Sequence, residues 1–484
     1  MGFARMLSTV SIFCLALAAA APSADPYFKN LSRELVEQVE VSSAKGPVIL
    51  IVVDALRPDR MTPYGSKRDT TPHLNALANE GILFTNYFVN GNWTRPSTAT
   101  MLTGLPPAKH GVESERDRLA DGFVTLGEVL RKEGVPTGAV VGNGNAGSAF
   151  GLGRGFDFYA DTVKHWRGLP SADQVVELSL PFVRKHRKDP FFLMLFFVDP
   201  HDPYHAPGEY ENMFVEDKSV RLIRTPHWEL GKYTPAELER MVATYDGAVR
   251  YTDAALGRFF DALRKEGVYD EATIIVTSDH GEAFGEHGVF LHSHHFYDEI
   301  VRTPLIIKAP GMSRRGGYNR TLFQTLDIFP TVVGRYGGKA RGGGMGIDIL
   351  DFLSAPKGKT GHRWVICEFN NFGIRRRMLR TYKEKIVYEQ PADREAFRAS
   401  VGRASLLPSV SFDAARIKMF DLEKDPFEKT NIYSKKLEGD PRWAELLRYL
   451  KTYRAPKSFT TGPSIAESLD KETLRDLKAL GYIQ

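Results

Sequence analysis

Continuous apolar runs alternate with amphipathic stretches over the first two thirds of the chain. Such runs are typical of parallel strands covered on both faces, and amphipathic stretches of helical period are typical of helices that pack on a sheet. The predicted strands are 48–53, 138–141, 191–198, 273–277 and 305–308. The predicted helices are 72–80, 96–103, 172–185 and 235–265. Because strands and helices alternate, the pattern predicts an α/β fold, an α/β/α sandwich with a mostly parallel central sheet.

The pattern changes near residues 338–360, where glycine becomes frequent. Shorter strand-like pieces follow at 364–368, 380–388 and 418–422, and then a helix near 441–453. We therefore predict a catalytic α/β domain over 45–345 and a smaller C-terminal α+β domain over 360–455. The last stretch, 464–484, has leucines at helical spacing and is predicted to be a C-terminal docking helix.

The chain begins like a secretory signal. Arg5 precedes an apolar run over 6–21, and small residues at 18–20 offer a cleavage site. Residues 1–24 are therefore predicted to be a signal peptide and the protein to be exported, periplasmic or secreted; the alternative is an uncleaved membrane anchor. No later apolar run approaches the roughly 20 residues that cross a bilayer, so no transmembrane domain is predicted beyond the signal. A formal net charge of +5 on 484 residues gives little reason to expect a nucleic-acid partner.

Two of the predicted strands end in acidic residues. Asp54 follows the strand at 48–53, and Asp279 and His280 follow the strand at 273–277. The carboxyl ends of parallel strands meet at one edge of a sheet, where ligands bind. A buried carboxylate is costly unless it is paired or bound to a metal, so these three residues predict a divalent metal site.

Thr94 is the candidate nucleophile. It precedes Arg95 and Pro96, and proline is favoured in the first turn of a helix. Thr94 would then lie at a helix N-terminus, where the positive end of the helix dipole stabilises an alkoxide or a bound anion. The alternative is that Thr94 only caps the helix. A metal at the neighbouring strand ends favours the catalytic role, because it would activate the hydroxyl.

Histidines form the third group of candidates. His201 and His205 follow the apolar strand at 191–198, and five of the chain's 13 histidines lie within residues 280–295. His201 and His292 are predicted to transfer protons, and with Asp199 and His205 they could hold a second metal. For His287, His294 and His295 a surface or structural role is predicted.

The motifs around these residues occur in the order and spacing of one known family and span nearly all of the chain after the signal. They are 53–59, 70–74, 96–104, 155–157, 277–287, 303–307, 327–331 and 420–431. In these motifs the chain resembles the sulfatase family, within the alkaline phosphatase superfamily. The resemblance implies a hydrolase that acts on phosphoric or sulfuric ester bonds.

Carried over by position, the resemblance assigns a role to each candidate residue. Asp54, Asp279 and His280 match the metal ligands, and Thr94 stands at the nucleophile position beside them. His201 and His292 match substrate-side positions and are predicted to be catalytic. The predicted substrate-binding residues are Arg95, Asn143, Asn145 and His205. Sulfatases carry a lysine at position 292, and a lysine and a histidine where this chain has Asn143 and Asn145.

The departures from the family pattern indicate a different substrate. A sulfatase needs Cys or Ser at position 94, followed by x-Pro-x-Arg, for conversion to formylglycine. Here Thr94 cannot become that aldehyde, Thr98 replaces the arginine, and Ala55 replaces a carboxylate that often helps to hold calcium. The chain therefore resembles the threonine-nucleophile members of the superfamily, which act on phosphate esters, phosphodiesters or phosphonates.

We predict an exported, metal-dependent hydrolase that cleaves phosphate mono- or diesters, or phosphonate esters, through a covalent intermediate on Thr94. A sulfuric ester hydrolase, a phosphotransferase and a non-catalytic metal-binding module remain as alternatives. The imidazole–carboxylate ligands favour zinc or manganese, with calcium, the usual sulfatase metal, as the alternative. The expected substrate is a small-molecule, glycan or lipid ester, and no motif predicts its organic part or the oligomeric state.

Overall fold

The computed structural model describes residues 25–161, 171–227, 232–338, 345–355, 359–399 and 410–452. The predicted signal peptide (1–24) and docking helix (464–484) lie outside the described residues. None of the helices within these ranges is both long and apolar enough to cross a membrane.

The strands and helices are numbered in chain order. The strands are β1 (Val48–Val53), β2 (Ile82–Phe84), β3 (Tyr87–Phe88), β4 (Thr137–Val141), β5 (Phe158–Asp161), β6 (Phe192–Phe197), β7 (Thr273–Thr277), β8 (Ala283–Phe284), β9 (Phe290–Leu291), β10 (Leu305–Lys308), β11 (Gly317–Asn319), β12 (Phe323–Gln324), β13 (Val365–Asn371), β14 (Ile374–Arg380), β15 (Glu384–Glu389) and β16 (Arg416–Asp421). The helices are α1 (Pro72–Glu80), α2 (Thr94–Thr103), α3 (Pro107–His110), α4 (Leu126–Lys132), α5 (Ala172–His186), α6 (Pro235–Lys265), α7 (Asp298–Val301), α8 (Ile328–Arg335), α9 (Ile349–Ser354), α10 (Arg394–Ala399) and α11 (Pro441–Thr452).

An eight-stranded sheet forms the centre of the molecule, in the order β11-β2-β10-β7-β1-β6-β4-β5. The neighbours of β1 are β6 and β7, and both run parallel to it. β10 is antiparallel to both of its neighbours, β7 and β2. The prediction of an α/β fold with a mostly parallel central sheet is therefore confirmed.

The residues of β1 alternate between two apolar layers, one on each face of the sheet. Ile49, Ile51 and Val53 belong to the layer that includes side chains of α1, α5 and α6. Val48, Leu50 and Val52 belong to the layer that includes side chains of α2, α4 and α8. All six are buried, which explains why the strand reads as a continuous apolar run.

A smaller antiparallel sheet, β13-β14-β15-β16, follows the main sheet along the chain. The predicted strand at 380–388 instead contains the last residue of β14, a turn and most of β15. The Thr381 hydroxyl accepts hydrogen bonds from the N–H groups of Lys383 at 3.1 Å and Glu384 at 2.9 Å, and this turn reverses the chain. On one face, Leu446 and Leu450 of α11 pack in a common apolar cluster with the sheet.

A buried ion cluster connects the two sheets. Asp298, at the start of α7, accepts hydrogen bonds from Arg380 of β14 at 3.0 and 3.1 Å and from Lys385 of β15 at 2.8 Å. Although burial opposes it, these cations hold the pKa of Asp298 well below its ordinary value. Glu428 also pairs with Lys385 at 2.6 Å. The cluster fixes the small sheet beside the segment that carries several of the candidate histidines.

Candidate active site

The sheet topology brings the predicted metal ligands to one place. β1 lies beside β7 in a parallel pair, so both strands end at the same edge of the sheet. Asp54 directly follows β1, and Asp279 and His280 follow β7 after Ser278. The Ser278 hydroxyl accepts a hydrogen bond from the Leu56 N–H at 3.0 Å and donates one to the His280 carbonyl oxygen at 2.6 Å. The two acidic strand ends are thereby held together.

Three potential ligand atoms and the Thr94 hydroxyl converge between these strand ends. His280 Nε2 lies 3.3 Å from Asp54 Oδ1 and 3.4 Å from Asp279 Oδ2. Thr94 Oγ1 is 3.4 Å from the same nitrogen. Thr94 is 2% exposed and the other three residues are fully buried. The structure thus brings together the residues predicted as metal ligands and the predicted nucleophile, which is the first residue of α2.

The hydrogen bonds around these side chains leave ligand atoms turned toward one another. His280 Nδ1 lies 2.9 Å from the Gly281 carbonyl oxygen, so Nδ1 carries the ring proton and Nε2 keeps its lone pair. Asn143 Nδ2 donates to Asp54 Oδ2 at 2.5 Å, whereas Asp54 Oδ1 accepts no hydrogen bond from the described residues. A buried carboxylate oxygen without a donor is costly, and a divalent cation would satisfy it. These residues therefore fit a divalent metal ion.

Burial sets the protonation of this group. It raises the pKa of Asp54 to about 6 and that of Asp279 to about 7, where the Asp54 carboxylate adds to the effect. It lowers the pKa of His280 to about 3, so the imidazole is neutral near pH 7. A metal binds the neutral imidazole and the ionised carboxylates, so a bound ion would displace the protons that burial favours on Asp54 and Asp279.

A second group of side chains lies beside the first. The His280 and His292 rings stack with 4.0 Å between their centroids, and the His201 ring lies 5.0 Å from that of His292. Asp202, Glu282 and His292 offer three ligand atoms within 4.8 Å of one another. The side chain is 17% exposed for Asp202 and 13% exposed for His292, whereas the first group is fully buried. The second group is therefore the more accessible of the two.

Asp202 and Glu282 are absent from the site predicted from the sequence, although each has a signal there. Asp202 directly follows His201, and Glu282 comes two residues after His280. In a loop, side chains do not repeat at a fixed spacing, so the sequence does not show which of them share a face. The three-dimensional path of the loops is needed to see that Asp202 and Glu282 turn toward the site.

Backbone strain marks three positions in the site. Ala55, which follows Asp54, has a φ of 55°, and Leu291 and Ser293, which flank His292, have φ values of 61° and 78°. These left-handed conformations are uncommon for residues other than glycine and tend to cluster at functional sites. The backbone is therefore strained next to Asp54, a metal-ligand candidate, and on both sides of His292.

His205 and Asp199 lie apart from His201 and His292, with which they were predicted to hold a second metal. The His205 side chain is 63% exposed, and its Nδ1 lies 2.6 Å from Glu211 Oε2. Burial raises the pKa of Asp199 to about 7, although the backbone N–H of Ala172 at the start of α5 favours its charge. Within the described ranges, neither residue belongs to a group of potential metal ligands. The predicted set of Asp199, His201, His205 and His292 therefore does not form one ligand group.

Three residues predicted to bind substrate form a hydrogen-bonded chain beside Thr94. Arg95 Nη2 donates to Asn145 Oδ1 at 2.7 Å, and the Asn145 N–H donates to Asn143 Oδ1 at 2.8 Å. Asn143 Nδ2 lies 3.4 Å from Thr94 Oγ1 and also contacts Asp54. Because Arg95 is only 1% exposed, we infer that Arg95 and Asn145 position Asn143, which contacts the predicted nucleophile.

The fold and these side chains define a class of protein. A mostly parallel α/β sheet, with a hydroxyl at a helix N-terminus and a carboxylate–imidazole group at the strand ends, fits a metal-dependent ester hydrolase. The chain belongs to the sulfatase family, in the alkaline phosphatase-like superfamily, because the family model described as Sulfatase matches residues 47–338. Enzymes of this family use a divalent metal ion, and the ligand groups described above are suited to hold one.

Three similar proteins illustrate the family. The multifunctional alkaline phosphatase superfamily protein PehA of Trinickia caryophylli is 26% identical over 499 residues, covering 83% of this chain and 93% of that protein. The ulvan-active sulfatase of Formosa agariphila is 28% identical over 350 residues, covering 66% and 67%. The crystal structure of the phosphonate monoester hydrolase of Agrobacterium radiobacter superposes with a TM-score of 0.62 at 22% identity, covering 84% of this chain and 94% of that one. The prediction of a hydrolase acting on ester bonds is confirmed.

Proposed function

We propose that the protein hydrolyses phosphate mono- or diesters, or phosphonate esters, through a covalent intermediate on Thr94. The identity and position of residue 94 carry this proposal. Threonine is a secondary alcohol that cannot be converted to formylglycine, and Thr94 Oγ1 lies 3.4 Å from both His280 Nε2 and Asn143 Nδ2. A hydroxyl among buried ligand atoms has the surroundings of an activated nucleophile.

Asp54, Asp279 and His280 would hold the divalent ion of the family, with the Thr94 hydroxyl beside it. When bound, the ion would offset the carboxylate charge, lower the pKa of the hydroxyl and withdraw charge from the transferring group. Zinc or manganese is favoured because one ligand is an imidazole nitrogen, whereas calcium prefers oxygen ligands.

The nucleophile and the helix that carries it perform the transfer. Thr94 Oγ1 attacks phosphorus and forms the ester bond to the enzyme, while the bond from phosphorus to the leaving oxygen breaks. The N–H groups of Thr94 and Arg95 lie at the positive end of the α2 dipole, where they would stabilise the transferring anion, whereas Pro96 has no N–H and the Ser97 N–H donates to the Trp93 carbonyl oxygen at 3.3 Å. Water then attacks phosphorus in line, which releases the product acid and restores the Thr94 hydroxyl.

His201 is the proposed general acid. Burial opposes its protonation, but without a bound metal the carboxylates of Asp54, Asp202 and Glu282 outweigh that effect and raise its pKa to about 9. Asp202 and Glu282 would still favour the protonated ring when an ion offsets the charge of Asp54. His201 Nδ1 donates to the Asp202 carbonyl oxygen at 2.6 Å, which leaves Nε2 to protonate the leaving oxygen. Burial lowers the pKa of His292 to about 3, so this ring stays neutral and can accept a hydrogen bond or bind a cation.

Sulfate-ester hydrolysis is the second candidate function, and the sulfatase relatives favour it. In formylglycine enzymes, one hydroxyl of the aldehyde hydrate attacks sulfur and the other expels sulfate by re-forming the aldehyde. Thr94 has a single hydroxyl, so a sulfated enzyme would have to wait for water to attack sulfur. A phosphorylated Thr94 can be released by in-line attack of water, with the same groups stabilising the charge. We therefore expect phosphoester turnover to exceed sulfate-ester turnover by orders of magnitude.

The test compares ester classes and looks for the covalent adduct. Purified protein is assayed with a phosphomonoester, a phosphodiester, a phosphonate monoester and a sulfate ester of the same alcohol, and quenched reactions are analysed by mass spectrometry. A phosphate adduct is expected on Thr94 and should be absent in Thr94→Ala. Thr98→Ala is the matched control, because Thr98 is a buried threonine of the same helix, and it should keep the adduct. A higher kcat/KM for the sulfate ester, with Thr94 unmodified in the active protein, would overturn the proposal.

A further inference from the structure

We propose that Asn92 is a positioning residue that holds His292 in its place beside the predicted nucleophile. Asn92 is fully buried and lies two residues before Thr94, directly ahead of Trp93, the N-cap residue of α2. The role rests on the proposed function, because it takes Thr94 and His292 as groups that act on the substrate. The contacts of Asn92 do not depend on that function.

Asn92 makes three hydrogen bonds to the segment that follows His292. Its backbone carbonyl oxygen accepts a hydrogen bond from the Ser293 N–H at 3.1 Å. Its side-chain Nδ2 donates to the carbonyl oxygens of Ser293 at 2.6 Å and His295 at 3.0 Å. The segment after His292 is thereby tied to the segment that leads into α2.

The strained backbone around His292 requires such support. Leu291 and Ser293 both have left-handed φ values, and a residue other than glycine stays in that conformation only where its surroundings fix it. Leu291 is fixed from one side, because it pairs with Ala283 between β9 and β8. Asn92 supplies the hydrogen bonds on the other side of His292, where it bonds to both the N–H and the carbonyl oxygen of Ser293.

The Asn92 amide acts as a donor only. Its Oδ1 is buried and makes no hydrogen bond with the described residues. A buried oxygen without a donor is costly and needs an explanation. The two bonds from Nδ2 supply one, since they fix the carbonyl oxygens of residues 293 and 295, and Arg376 of β14 donates to the His294 carbonyl oxygen between them.

These bonds connect the two sides of the site. The His292 ring stacks on His280 at 4.0 Å, and His280 Nε2 lies 3.4 Å from Thr94 Oγ1. Asn92 is close in sequence to Thr94 and is hydrogen-bonded to the neighbour of His292, so it fixes the position of one relative to the other. A small misplacement of a reacting group can cost up to about 100-fold in rate, and we expect Asn92→Ala to lower kcat/KM by about 10-fold.

Two rival explanations lead to different results. Glu282 Oε1, 3.2 Å from His292 Nδ1, could orient the ring alone, and Asn92 could merely stabilise the fold. A residue that acts through His292 matters only while His292 is present, whereas independent effects multiply. A double-mutant cycle of Asn92→Ala and His292→Ala therefore separates positioning from general stability.

The cycle is measured on the purified full chain, at saturating Zn²⁺ or Mn²⁺, with whichever of the four esters above the wild type cleaves fastest. Asn92→Ala should cost about 10-fold in the wild-type background and less than about twofold in the His292→Ala background. Asn90→Ala is the matched control, because Asn90 is equally buried but its Nδ2 donates to Gln324 and Ile366, each at 2.8 Å. It should lower the unfolding temperature about as much as Asn92→Ala and leave kcat/KM within about twofold in both backgrounds.

A second measurement needs no activity. Amide hydrogen exchange of the peptide that covers 289–297, followed by mass spectrometry, should be faster in Asn92→Ala than in the wild type and unchanged in Asn90→Ala. If Asn92→Ala does not fold, Asn92→Ser replaces it in both measurements, since its hydroxyl can still donate to one of the two carbonyl oxygens.

Equal losses from Asn92→Ala in the two backgrounds would overturn the proposal, as would an unchanged kcat/KM in the wild-type background or unchanged exchange over 289–297. The Thr94 adduct is read separately. Coupling between Asn92 and His292 without an adduct would keep the positioning role and remove the proposed function, and an adduct with independent losses would do the reverse.

Discussion

Replacing Asp279 by asparagine should stabilise the metal-free protein and abolish its response to metal. Asp279 and the neighbouring Asp54 are fully buried, so without a cation their charges face each other in a region that excludes water. An asparagine can keep the hydrogen bonds that Asp279 Oδ1 accepts from the N–H groups of Ala55 at 3.4 Å and His280 at 3.1 Å. Its Nδ2 would replace Oδ2, 3.4 Å from His280 Nε2, to which it can donate. The substitution removes a charge without opening a cavity.

The magnitude follows from the pKa of Asp279. Burial, together with the Asp54 carboxylate, raises this pKa from 3.8 to about 7. Below about pH 4 the carboxyl group is protonated in both the folded and the unfolded chain, and no cost arises. As the pH rises to about 7, the unfolded chain releases the proton while the folded protein keeps it, so folding becomes less favourable. Above that pH the cost reaches about 4 kcal/mol, and Asp279→Asn removes it.

The assay is thermal and urea unfolding of chelator-treated wild type and Asp279→Asn at pH 5 and pH 8, repeated after addition of Zn²⁺ or Mn²⁺. The variant should be more stable than the wild type at both pH values, and the difference should be larger at pH 8 than at pH 5. Addition of metal should not change the stability of the variant. Asp199→Asn is the matched control, because burial also raises the pKa of Asp199 to about 7, yet Asp199 belongs to neither ligand group. This control should gain stability without metal and still be stabilised further by metal.

Either of two results would refute this reasoning. Equal stability of metal-free wild type and Asp279→Asn at pH 8 would mean that the buried carboxylate carries no cost that a cation could relieve. A rise in stability on metal addition as large in Asp279→Asn as in the wild type would mean that Asp279 is not a ligand.

Three further predictions concern other parts of the chain. His292→Ala should lower turnover by roughly 100-fold or more, whereas His294→Ala should stay within a few-fold; equal losses would show that the histidine cluster acts as a structural unit. Asp298→Ala leaves the buried Arg380 guanidinium without its carboxylate and should cost about 3–5 kcal/mol in urea unfolding, so a loss below about 1 kcal/mol would contradict a structural role for the ion cluster. N-terminal sequencing of protein from its native host should begin within residues 18–25, and protein with an intact Met1 in a cytosolic fraction would contradict export.

The buried metal-ligand group could be predicted because it depends on strand ends. An apolar run that stops at an acidic residue shows where a buried strand ends, and parallel pairing places neighbouring ends at one edge. β1 and β7 are such neighbours, so Asp54 and Asp279 converge as expected. The position of Thr94 needed only the proline that follows it in the first turn of α2.

Arg95 shows where adjacency in sequence misleads. Successive residues of a helix point about 100° apart, so the residue after Thr94 faces elsewhere. Arg95 Nη1 instead donates to the carbonyl oxygens of Glu115 at 2.6 Å and Asp117 at 3.1 Å. Arg95 contacts the site only through its hydrogen bond to Asn145. No pattern in the sequence predicts that contact.

His205 shows the same limit in a loop. It follows His201 by four residues, which would place both on one face of a helix, but this segment is irregular. Glu211 and Arg224 hold the His205 ring at the surface instead. Asp202 and Glu282 were not predicted for the same reason. The path of the loops, which the sequence pattern does not show, determines which of these side chains turn inward.

The charges around Thr94 lead to a last prediction about which anion the enzyme accepts. Where sulfatases carry lysines, this chain has Asn143 and His292, so the cationic groups that would meet an anion are replaced by neutral ones. A phosphomonoester brings more negative charge than a phosphodiester, and its binding should therefore depend more steeply on the positive charge that Asp202 and Glu282 favour on His201. In His201→Gln, kcat/KM should fall further for the phosphomonoester than for the phosphodiester of the same alcohol, measured at saturating Zn²⁺ or Mn²⁺. Equal losses for the two esters would mean that His201 acts on a step that both substrates share, such as protonation of the leaving oxygen, and not on the charge of the site.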